Sequence, residues 1–299
     1  ESHLPGVALA AARYLLLDGL DHPLGEVYAG RSTADPGPLF LDLCRSQRSA
    51  LLALLETRRV QTNDCGRCAL IGPAITWVTE RLPGPYAHVD VGASAGLNLL
   101  GDRYRLDYGP HGATGPADST VQITCEVSGG DPPIRDRLPA LASRVGIDRS
   151  PIDLADPADA RWLLACVWPD TGRAERVEAS IRLARQDPPT VLAGLANELL
   201  PGVLADLPTG TSAIVTTTWA FGYFSEEERA AFVDLLRVES ARRPIAWVSA
   251  EGAGTVTALG TGRLDEGEVL GALVFDGADI TTHRLARVHE HGNWIDWRA

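Results

Sequence analysis

The chain has 299 residues, 45% of them hydrophobic and 22% charged, a composition that excludes an intrinsically disordered or fibrous protein. Its 39 acidic residues outnumber 27 basic residues, all of them arginine, and the net charge of −12 excludes the basic surface typical of nucleic-acid-binding proteins. Without lysine, the chain has no Schiff-base lysine, pyridoxal-phosphate anchor or P-loop lysine. We therefore expect a small molecule as its substrate.

The first third of the chain has a helical pattern. Apolar residues recur at helical spacing within residues 7–20, 39–57 and 65–82, and proline and glycine follow the last of these segments. No strand pattern precedes residue 86. The sequence thus predicts an N-terminal helical cap segment, residues 1–83, followed by a second domain, residues 84–299.

From residue 86 onward, strand and helix patterns alternate. The predicted strands are 87–91, 120–127, 190–193, 212–217 and 244–249, with a final hairpin of 269–275 and 280–288. The predicted helices are 97–105, 197–204 and 225–241, with a helical insertion at about 131–188. This alternation predicts an α/β, Rossmann-like domain whose mostly parallel sheet ends in a C-terminal antiparallel hairpin.

A turn of small residues follows the first predicted strand, directly after Asp90-Val91. Its residues are Gly92, Ala93, Ser94, Ala95 and Gly96. Small side chains let a nucleotide-like ligand lie against the backbone, and the following helix would direct its N-terminal N–H groups at that ligand. An acid at the end of the next strand would bind ribose hydroxyls. Glu126, in the predicted strand 120–127, is our candidate for that acid.

The segment Asp90-x-Gly-x-Ser-x-Gly96 resembles the cofactor loop of class I S-adenosylmethionine-dependent methyltransferases. The order of elements over residues 86–299 also resembles that fold. The resemblance implies S-adenosylmethionine as cofactor and methyl transfer to a small-molecule acceptor. The residues that would hold the cofactor are Asp90, Gly92, Ala93, Ser94, Gly96, Asn98, Glu126, Asn197 and Thr218.

More narrowly, the chain resembles an uncharacterised, mainly actinobacterial family that carries a domain-of-unknown-function label. The matching segments are residues 60–67, 92–99, 102–104 and 162–169. Two positions depart from the methyltransferase pattern. Ser94 stands where those enzymes usually have glycine, and Leu195 stands where an acid usually meets the adenine amine. Asn197 is the candidate substitute for that acid.

Two other interpretations of the turn stay open. Gly92-x-Ser94-x-Gly96 is also the nucleophile-elbow pattern of a serine hydrolase, with Ser94 as nucleophile. Acids and histidines follow it in the order which that fold uses, namely Asp153, Asp276, His283, His289 and His291. Against this interpretation, that fold needs several strands and an oxyanion loop before its serine, whereas helices and no such loop are predicted before residue 86. Alternatively, the chain is a non-catalytic Rossmann-like ligand-binding or scaffold protein.

Polar residues near the predicted strand ends are candidates for the chemistry of a transferase. The catalytic candidates are Thr217, Glu251 and His289, because a hydroxyl, a carboxylate or an imidazole can hold or accept a proton. The substrate-binding candidates are Asn63, Arg67 and Trp219. Asn63 is also the predicted N-cap of the helix at 65–82. The acceptor and the oligomeric state stay open.

The cysteines and histidines do not predict a metal site. Cys65 and Cys68 have metal-ligand spacing, but a four-ligand zinc site needs a second pair, and the sequence has none. His289 and His291 would share one face of a strand, without an evident third ligand. The odd, scattered set of five cysteines is typical of reduced thiols. With no apolar run long enough to span a membrane and no leader pattern, we expect a cytoplasmic protein without membrane contact.

Overall fold

The computed structural model describes residues 4–168, 172–260, 267–277 and 279–299. These residues form two compact units. The first contains the described residues within 1–63 and 152–186, and the second contains those within 64–151 and 187–299. The predicted boundary at residue 83 therefore lies inside the second unit. The reason is that the helix Cys68–Thr79 packs on strands of that unit.

The first unit is helical. Its helices are α1 (Leu4–Leu17), α2 (Pro23–Tyr28), α3 (Pro36–Ser46), α4 (Arg48–Thr57), α6 (Pro157–Ala165) and α7 (Arg173–Gln186). Proline starts α2, α3 and α6, where its missing N–H costs nothing, and Asp35 and Asp156 cap the first turns of α3 and α6. Leu24, Leu43 and Trp162 are fully buried in its core. The predicted helix 39–57 is interrupted at Gln47.

The second unit is built on a nine-stranded sheet. Its strands are β1 (Tyr86–Val91), β5 (Glu126–Gly129), β6 (Leu141–Asp148), β7 (Val191–Ala193), β8 (Ser212–Thr218), β9 (Ile245–Gly252), β10 (Glu268–Asp276), β11 (Asp279–Val288) and β12 (Trp294–Trp297). Their order is β5-β12-β11-β10-β9-β8-β1-β6-β7. The run from β7 to β9 is parallel, and β10, β11 and β12 continue it in antiparallel fashion. The predicted large, mostly parallel sheet is confirmed.

The central strands of the sheet are almost completely buried. All seven residues of β8 and five of the six in β1 are buried, as expected for parallel strands covered on both faces. The helices α5 (Cys68–Thr79), α8 (Ala196–Asp206) and α9 (Glu226–Glu239) pack on the sheet. Ser225 and Glu228 form a capping box at the start of α9, as that sequence pattern predicts.

The prediction for residues 131–188 is wrong in its first part. Leu141–Asp148 is not helical but forms β6, which pairs in parallel with β1 from Leu141 to Ile147, with one register shift after Leu141. Only α6 and α7 are helical within the predicted insertion. The apolar side chains of Val145 and Ile147 flank Gly146, and this alternation fits the strand.

The predicted strand 120–127 is also corrected, because it breaks at Cys125. Its first part, β4 (Gln122–Thr124), joins β2 (Arg105–Asp107) and β3 (Ala113–Thr114) in a separate three-stranded sheet. Its second part is β5, at the outer edge of the large sheet. The predicted helix 97–105 is a seven-residue 3₁₀ helix, Leu97–Arg103, followed by β2.

Within the described ranges, no helix combines the length and the apolar character needed to cross a membrane.

Candidate functional site

The strand order creates a switch point between β1 and β8. From β1 the chain continues on one side to β6 and β7, and on the other side to β8 and β9. In open α/β sheets, a crevice opens beyond the carboxyl ends of the strands at such a point, and ligands bind there. The turn that follows β1, residues 92–96, lies at this position.

The glycines of the turn are required by close packing. Gly92, Ser94 and Gly96 all have positive φ angles, of 82°, 53° and 75°. A β-carbon on Gly92 would overlap Cβ of Ala220, and one on Gly96 would lie 2.7 Å from Cγ of Pro189. Protein atoms therefore cover Gly92 in this conformation. Left-handed φ is unfavourable for serine, so the backbone at Ser94 is strained.

The backbone of the turn is also hydrogen-bonded to β6. The N–H groups of Gly92 and Ala93 both donate to the carbonyl oxygen of Ile147, at 2.8 and 3.2 Å. Gly146 is required beside them, because a β-carbon there would lie 2.6 Å from that of Ala93. The turn is thus fixed directly against the end of β6.

Asp148 is the acid that the sequence interpretation missed. It ends β6, next to β1, and is half-buried. Its Oδ2 accepts the Ser94 N–H at 2.7 Å, and its Oδ1 accepts the Ser150 N–H at 2.8 Å. The signal in the sequence was an acid directly after Val145-Gly146-Ile147, and it was lost because β6 was interpreted as helix.

The placement predicted for Glu126 is wrong. Glu126 begins β5 and is exposed, and five strands lie between β5 and β1 in the large sheet. The reason is that β12 pairs with β5 at the sheet edge, while β6 takes the place beside β1. The structure therefore separates Glu126 from the other proposed cofactor residues around the turn.

Asp90 lies in a buried chain of hydrogen bonds. Its Oδ1 accepts the hydroxyl of Thr216 at 2.6 Å, and that hydroxyl oxygen lies 2.8 Å from Nε2 of His88. Oδ2 of Asp90 is buried without a hydrogen-bond partner among the described residues. Burial raises the pKa of Asp90 to about 7, although the Thr216 hydroxyl and the charge of Arg67 favour the ionised form.

Arg67 joins the end of β8 to the segment after β11. Its Nη1 donates to the Thr218 carbonyl oxygen at 2.9 Å, and its Nε donates to the Glu290 carbonyl oxygen at 3.2 Å. Its guanidinium lies 4.6 Å from the centre of the Trp219 ring. Burial lowers the pKa of Arg67, against the opposing charges of Asp64, Glu251, Glu290 and Asp90.

Three further predicted residues, Asn98, Thr218 and Trp219, lie close to Arg67 or to the end of β8. The Asn98 side chain donates to the Thr218 hydroxyl at 3.4 Å, which links the residues after the turn to the end of β8. Trp219 has a left-handed φ of 51°, and its indole N–H donates to Oε2 of Glu268 at 3.0 Å. Two of the described non-glycine residues have positive φ, Ser94 and Trp219, and both lie in this region.

Glu251 holds the turn that carries Ala220. Its Oε1 accepts the N–H groups of Ala220 and Phe221 at 3.0 and 2.8 Å, and its Oε2 accepts that of Gly222 at 3.3 Å. Burial raises the pKa of Glu251 to about 7, against these three donors. Both oxygens are engaged with backbone, so the structure gives Glu251 an anchoring role where the sequence suggested a catalytic base.

Two predicted residues form their side-chain hydrogen bonds away from the turn. Thr217 is fully buried, with its hydroxyl accepting the Trp247 indole N–H at 3.0 Å and lying 3.2 Å from the Ser249 hydroxyl. It faces the opposite side of β8 from Thr216 and Thr218. The Asn197 amide N–H donates to the Glu228 carbonyl oxygen at 2.9 Å, which ties α8 to the start of α9.

The histidines after β11 form a small polar group. The His289 Nδ1 accepts the His291 backbone N–H at 3.2 Å. The His291 ring lies between two carboxylates, with Nδ1 3.2 Å from Asp64 and Nε2 3.3 Å from Glu290. No group of three or more histidine, cysteine or acidic side chains in the described part of the chain has the geometry of a metal site.

The helix cap before Arg67 differs from the prediction. Asp64, and not Asn63, caps the 3₁₀ turn Cys65–Arg67, because its carboxylate accepts the Gly66 N–H at 2.9 Å. Asn63 is buried and ends the first of the two segments that form the first unit. The five cysteines form no disulfide, and Cys65 and Cys68 are both buried.

These features define a mixed α/β protein with a large, mostly parallel sheet and a polar group of residues at its switch point. A family model matches residues 1–297, and its description is an uncharacterized protein conserved in bacteria, DUF2332. The chain therefore belongs to this bacterial family, as the narrower sequence resemblance predicted. Its mainly actinobacterial distribution stays a prediction. No curated protein matches the chain.

Proposed function

We propose that this protein is a Rossmann-like, class I-type methyltransferase that transfers a methyl group from S-adenosylmethionine to a small molecule. The observation that carries the proposal is the half-buried carboxylate of Asp148. It ends the strand beside β1 and is bonded to the backbone of the glycine-containing turn. An acid in this position binds ribose hydroxyls in dinucleotide-binding sheets, and an adenosyl group carries the same sugar.

The topology supports the same proposal. The parallel strands run from β1 outward to β7 on one side and to β9 on the other, which is the order of the mononucleotide-binding sheet. The antiparallel strands β10 and β11 follow, as the resemblance to the methyltransferases implied. The seven-residue 3₁₀ helix after the turn contributes no helix-dipole site, so side chains and backbone groups would hold the ligand.

The chemistry of the site fits the cofactor at two points. Asp148 is accessible to a sugar, and Oδ2 of Asp90 is a buried acceptor that needs a donor, which the ammonium group of the cofactor would provide. Ala220 does not fit a bound cofactor, because its side chain covers the backbone of Gly92. Cofactor binding therefore requires the segment Trp219–Gly222 to move away from Gly92.

The residues of the chain would then position the reactants and hold a proton. When bound, the cofactor supplies an electrophilic methyl group. Asp148 would hold the sugar, and Thr218, Trp219 and Arg67 would form the wall on the acceptor side. Thr217 and Glu251 are engaged in structural hydrogen bonds, so His289 stays our candidate for accepting the proton of the acceptor.

Titration calorimetry with S-adenosylhomocysteine, the demethylated product, tests the proposal. We expect wild-type protein to bind it and Asp148→Asn to bind at least about tenfold more weakly, because a charge-assisted hydrogen bond to the sugar is lost. Glu126→Gln is the matched control, an exposed acid on the far edge of the same sheet, and should bind like wild type. Absence of binding to wild type at millimolar ligand would contradict the proposal.

One observation favours a second candidate. Ser94 has a strained φ of 53° in a strand–turn–helix segment, as the nucleophile of a serine hydrolase does. However, the described residues 4–85 form helices and no strand, so the strands that precede a nucleophile elbow are missing there. Labelling of Ser94 by a fluorophosphonate probe would support this candidate. Cofactor binding without turnover on a broad panel of acceptors would support a scaffold protein instead.

A further inference from the structure

Phe221 is a fixed point in the segment that follows β8. Its ring is 2% exposed, and the ring centre lies 4.8 Å from that of Trp247 and 5.5 Å from that of Phe232. Its N–H donates to Oε1 of Glu251 at 2.8 Å, and its carbonyl oxygen accepts from Nε of Arg229 at 3.1 Å. Displacing Phe221 would open the core and break both hydrogen bonds, so this residue keeps its place when the segment moves.

The movable part of the segment is limited to Trp219 and Ala220, which lie between the end of β8 and Phe221. Ala220 is the residue that covers Gly92, and its N–H donates to Oε1 of Glu251 at 3.0 Å. Because strand β8 is buried along its whole length, the strand is as fixed as Phe221. A ligand that reaches the backbone of Gly92 must therefore displace Trp219 and Ala220 alone.

Trp219 has the strained backbone of this pair. Its φ of 51° is in the left-handed region, which is unfavourable for an aromatic residue and persists only where surrounding contacts enforce it. Two side-chain contacts do so. The indole N–H donates to Oε2 of Glu268 at 3.0 Å, and the Arg67 guanidinium lies 4.6 Å from the ring centre. A change of φ would turn the indole away from both partners, because rotation about the N–Cα bond carries the side chain with it.

We infer that the hydrogen bond between Trp219 and Glu268 is a latch that holds Ala220 over Gly92, and that its release opens the crevice at the switch point. The inference rests on the proposed function, since the adenosyl ligand is what enters the crevice. The structure shows the closed form. When the bond breaks, Trp219 relaxes to a negative φ and Ala220 moves away. The ligand binds the open form, so the latch lowers its apparent affinity in proportion to the fraction of open molecules.

The latch predicts that two substitutions strengthen ligand binding. Trp219→Phe keeps an aromatic ring beside Arg67 but removes the indole N–H, and Glu268→Ala removes the acceptor of that N–H. Each should raise the affinity for S-adenosylhomocysteine about tenfold in titration calorimetry, because a hydrogen bond to a carboxylate no longer favours the closed form. Truncating a residue that only lines the site would weaken binding. Unchanged or weaker binding by either variant would therefore overturn the inference.

Three further variants serve as controls. The double variant Trp219→Phe/Glu268→Ala should bind about as tightly as each single variant, since both substitutions break the same bond. Affinity gains that multiply in the double variant would contradict the latch, because the two residues would then act independently. Glu268→Gln keeps an oxygen that accepts the indole N–H, so its gain should be smaller than that of Glu268→Ala. Tyr223→Phe, on a residue of the same segment that is 76% exposed, should bind like wild type.

Amide hydrogen exchange, followed by NMR, tests the latch without any ligand. The Ala220 N–H is bonded to Glu251 in the closed form and is released in the open form, whereas the Phe221 N–H stays bonded in both. We expect about tenfold faster exchange at Ala220 in Trp219→Phe and in Glu268→Ala, with exchange at Phe221 unchanged. Equal acceleration at both amides would show that the segment moves as one body, and this result would also overturn the inference.

The two measurements separate the latch from the proposed function. Faster exchange at Ala220 in both variants, without binding of S-adenosylhomocysteine to any of the proteins at millimolar concentration, would support the latch and contradict the proposed function. Ligand binding to wild type, with the same exchange rate at Ala220 in wild type and variants, would support the proposed function and overturn the latch. Circular dichroism confirms that each variant is folded.

Discussion

Ala220 lies directly on Gly92, so that the position of a side chain on Gly92 is filled by the methyl group of Ala220. This contact joins the turn after β1 to the segment after β8, on the two sides of the switch point. Glu251 holds the second segment through the N–H groups of Ala220 and Phe221. Access to the backbone of Gly92 is therefore controlled by a segment that a buried carboxylate anchors.

The contact predicts an unusually costly glycine substitution. Gly92→Ala introduces both an overlap with Ala220 and a left-handed alanine, so we expect a loss of more than about 3 kcal/mol in the free energy of unfolding. Gly109→Ala is the control. Its φ is also left-handed, at 60°, but nothing lies within 4 Å of the added carbon, so it should lose only about 1–2 kcal/mol. Urea unfolding measures both.

The double variant Gly92→Ala/Ala220→Gly separates the overlap from the strain. Removing the Ala220 methyl group should restore the part of the stability that the overlap cost, which leaves a loss close to that of Gly109→Ala. A double variant as unstable as the sum of both single variants would show that the two residues do not interact.

Ala220→Gly alone should open the space over Gly92. We expect faster association of S-adenosylhomocysteine, by a few-fold, because less of the segment has to move before the ligand reaches the backbone. Stopped-flow quenching of tryptophan fluorescence measures the rate, with Trp219 adjacent to the substitution. An unchanged association rate together with an unchanged dissociation constant would show that Ala220 does not limit access.

Because Asp90 is a buried carboxyl group, replacing it should increase the free energy of unfolding by an amount that depends on pH. Folding raises its pKa from 3.8 to about 7, so the folded state holds the proton more tightly than the unfolded state. The stability contributed by this group is therefore greatest at low pH and is lost as pH rises from about 4 to 7. Asp90→Asn lacks that loss, so its stability relative to wild type should rise by about 2–3 kcal/mol between pH 5 and pH 8.

Urea unfolding at both pH values measures this difference. Glu251, whose pKa is also raised to about 7, adds a slope of the same sign to both proteins and cancels in the comparison. If the difference between Asp90→Asn and wild type stays constant from pH 5 to pH 8, Asp90 does not titrate as described.

At position 67, lysine should not be able to take over the structural role of arginine. Its Nη1 and Nε donate to two separate carbonyl oxygens, those of Thr218 and Glu290, and its plane covers Trp219. A lysine has one ammonium and no plane, so Arg67→Lys should lose about 2 kcal/mol of stability. The control Arg298→Lys, on an exposed side chain, should change stability by less than about 0.5 kcal/mol in thermal melts.

Much of the fold was predictable because its strongest signals are local. Strand β8 is a continuous run of small and apolar residues, β1 has an apolar residue at every second position, and the capping box at Ser225 marks the start of α9. β6 was missed because Arg144 and Gly146 interrupt its apolar run and the helical pattern of α6 follows closely. Whether a segment pairs with β1 depends on contacts distant in the sequence, which local periodicity does not report.

The site was predictable in part for the same reason. Asp90, Gly92, Ser94 and Gly96 belong to one local motif, and the structure keeps them together. Glu126 lies near the end of the next strand that the sequence predicts, whereas the acid that lies beside the turn is Asp148, at the end of the next strand in space. Similarly, Asn63 and Asp64 are both good caps, and only the backbone geometry selects Asp64.

The proposed function requires an adenosyl ligand at the switch point, with its sugar on Asp148. A crystal structure of the protein with S-adenosylhomocysteine is the decisive measurement. We expect ribose hydroxyls within hydrogen-bond distance of the Asp148 carboxylate, the ammonium group on Asp90 Oδ2, and Ala220 displaced from Gly92. Ligand density elsewhere on the sheet, or an Asp148 carboxylate that still contacts only Ser94 and Ser150, would contradict it.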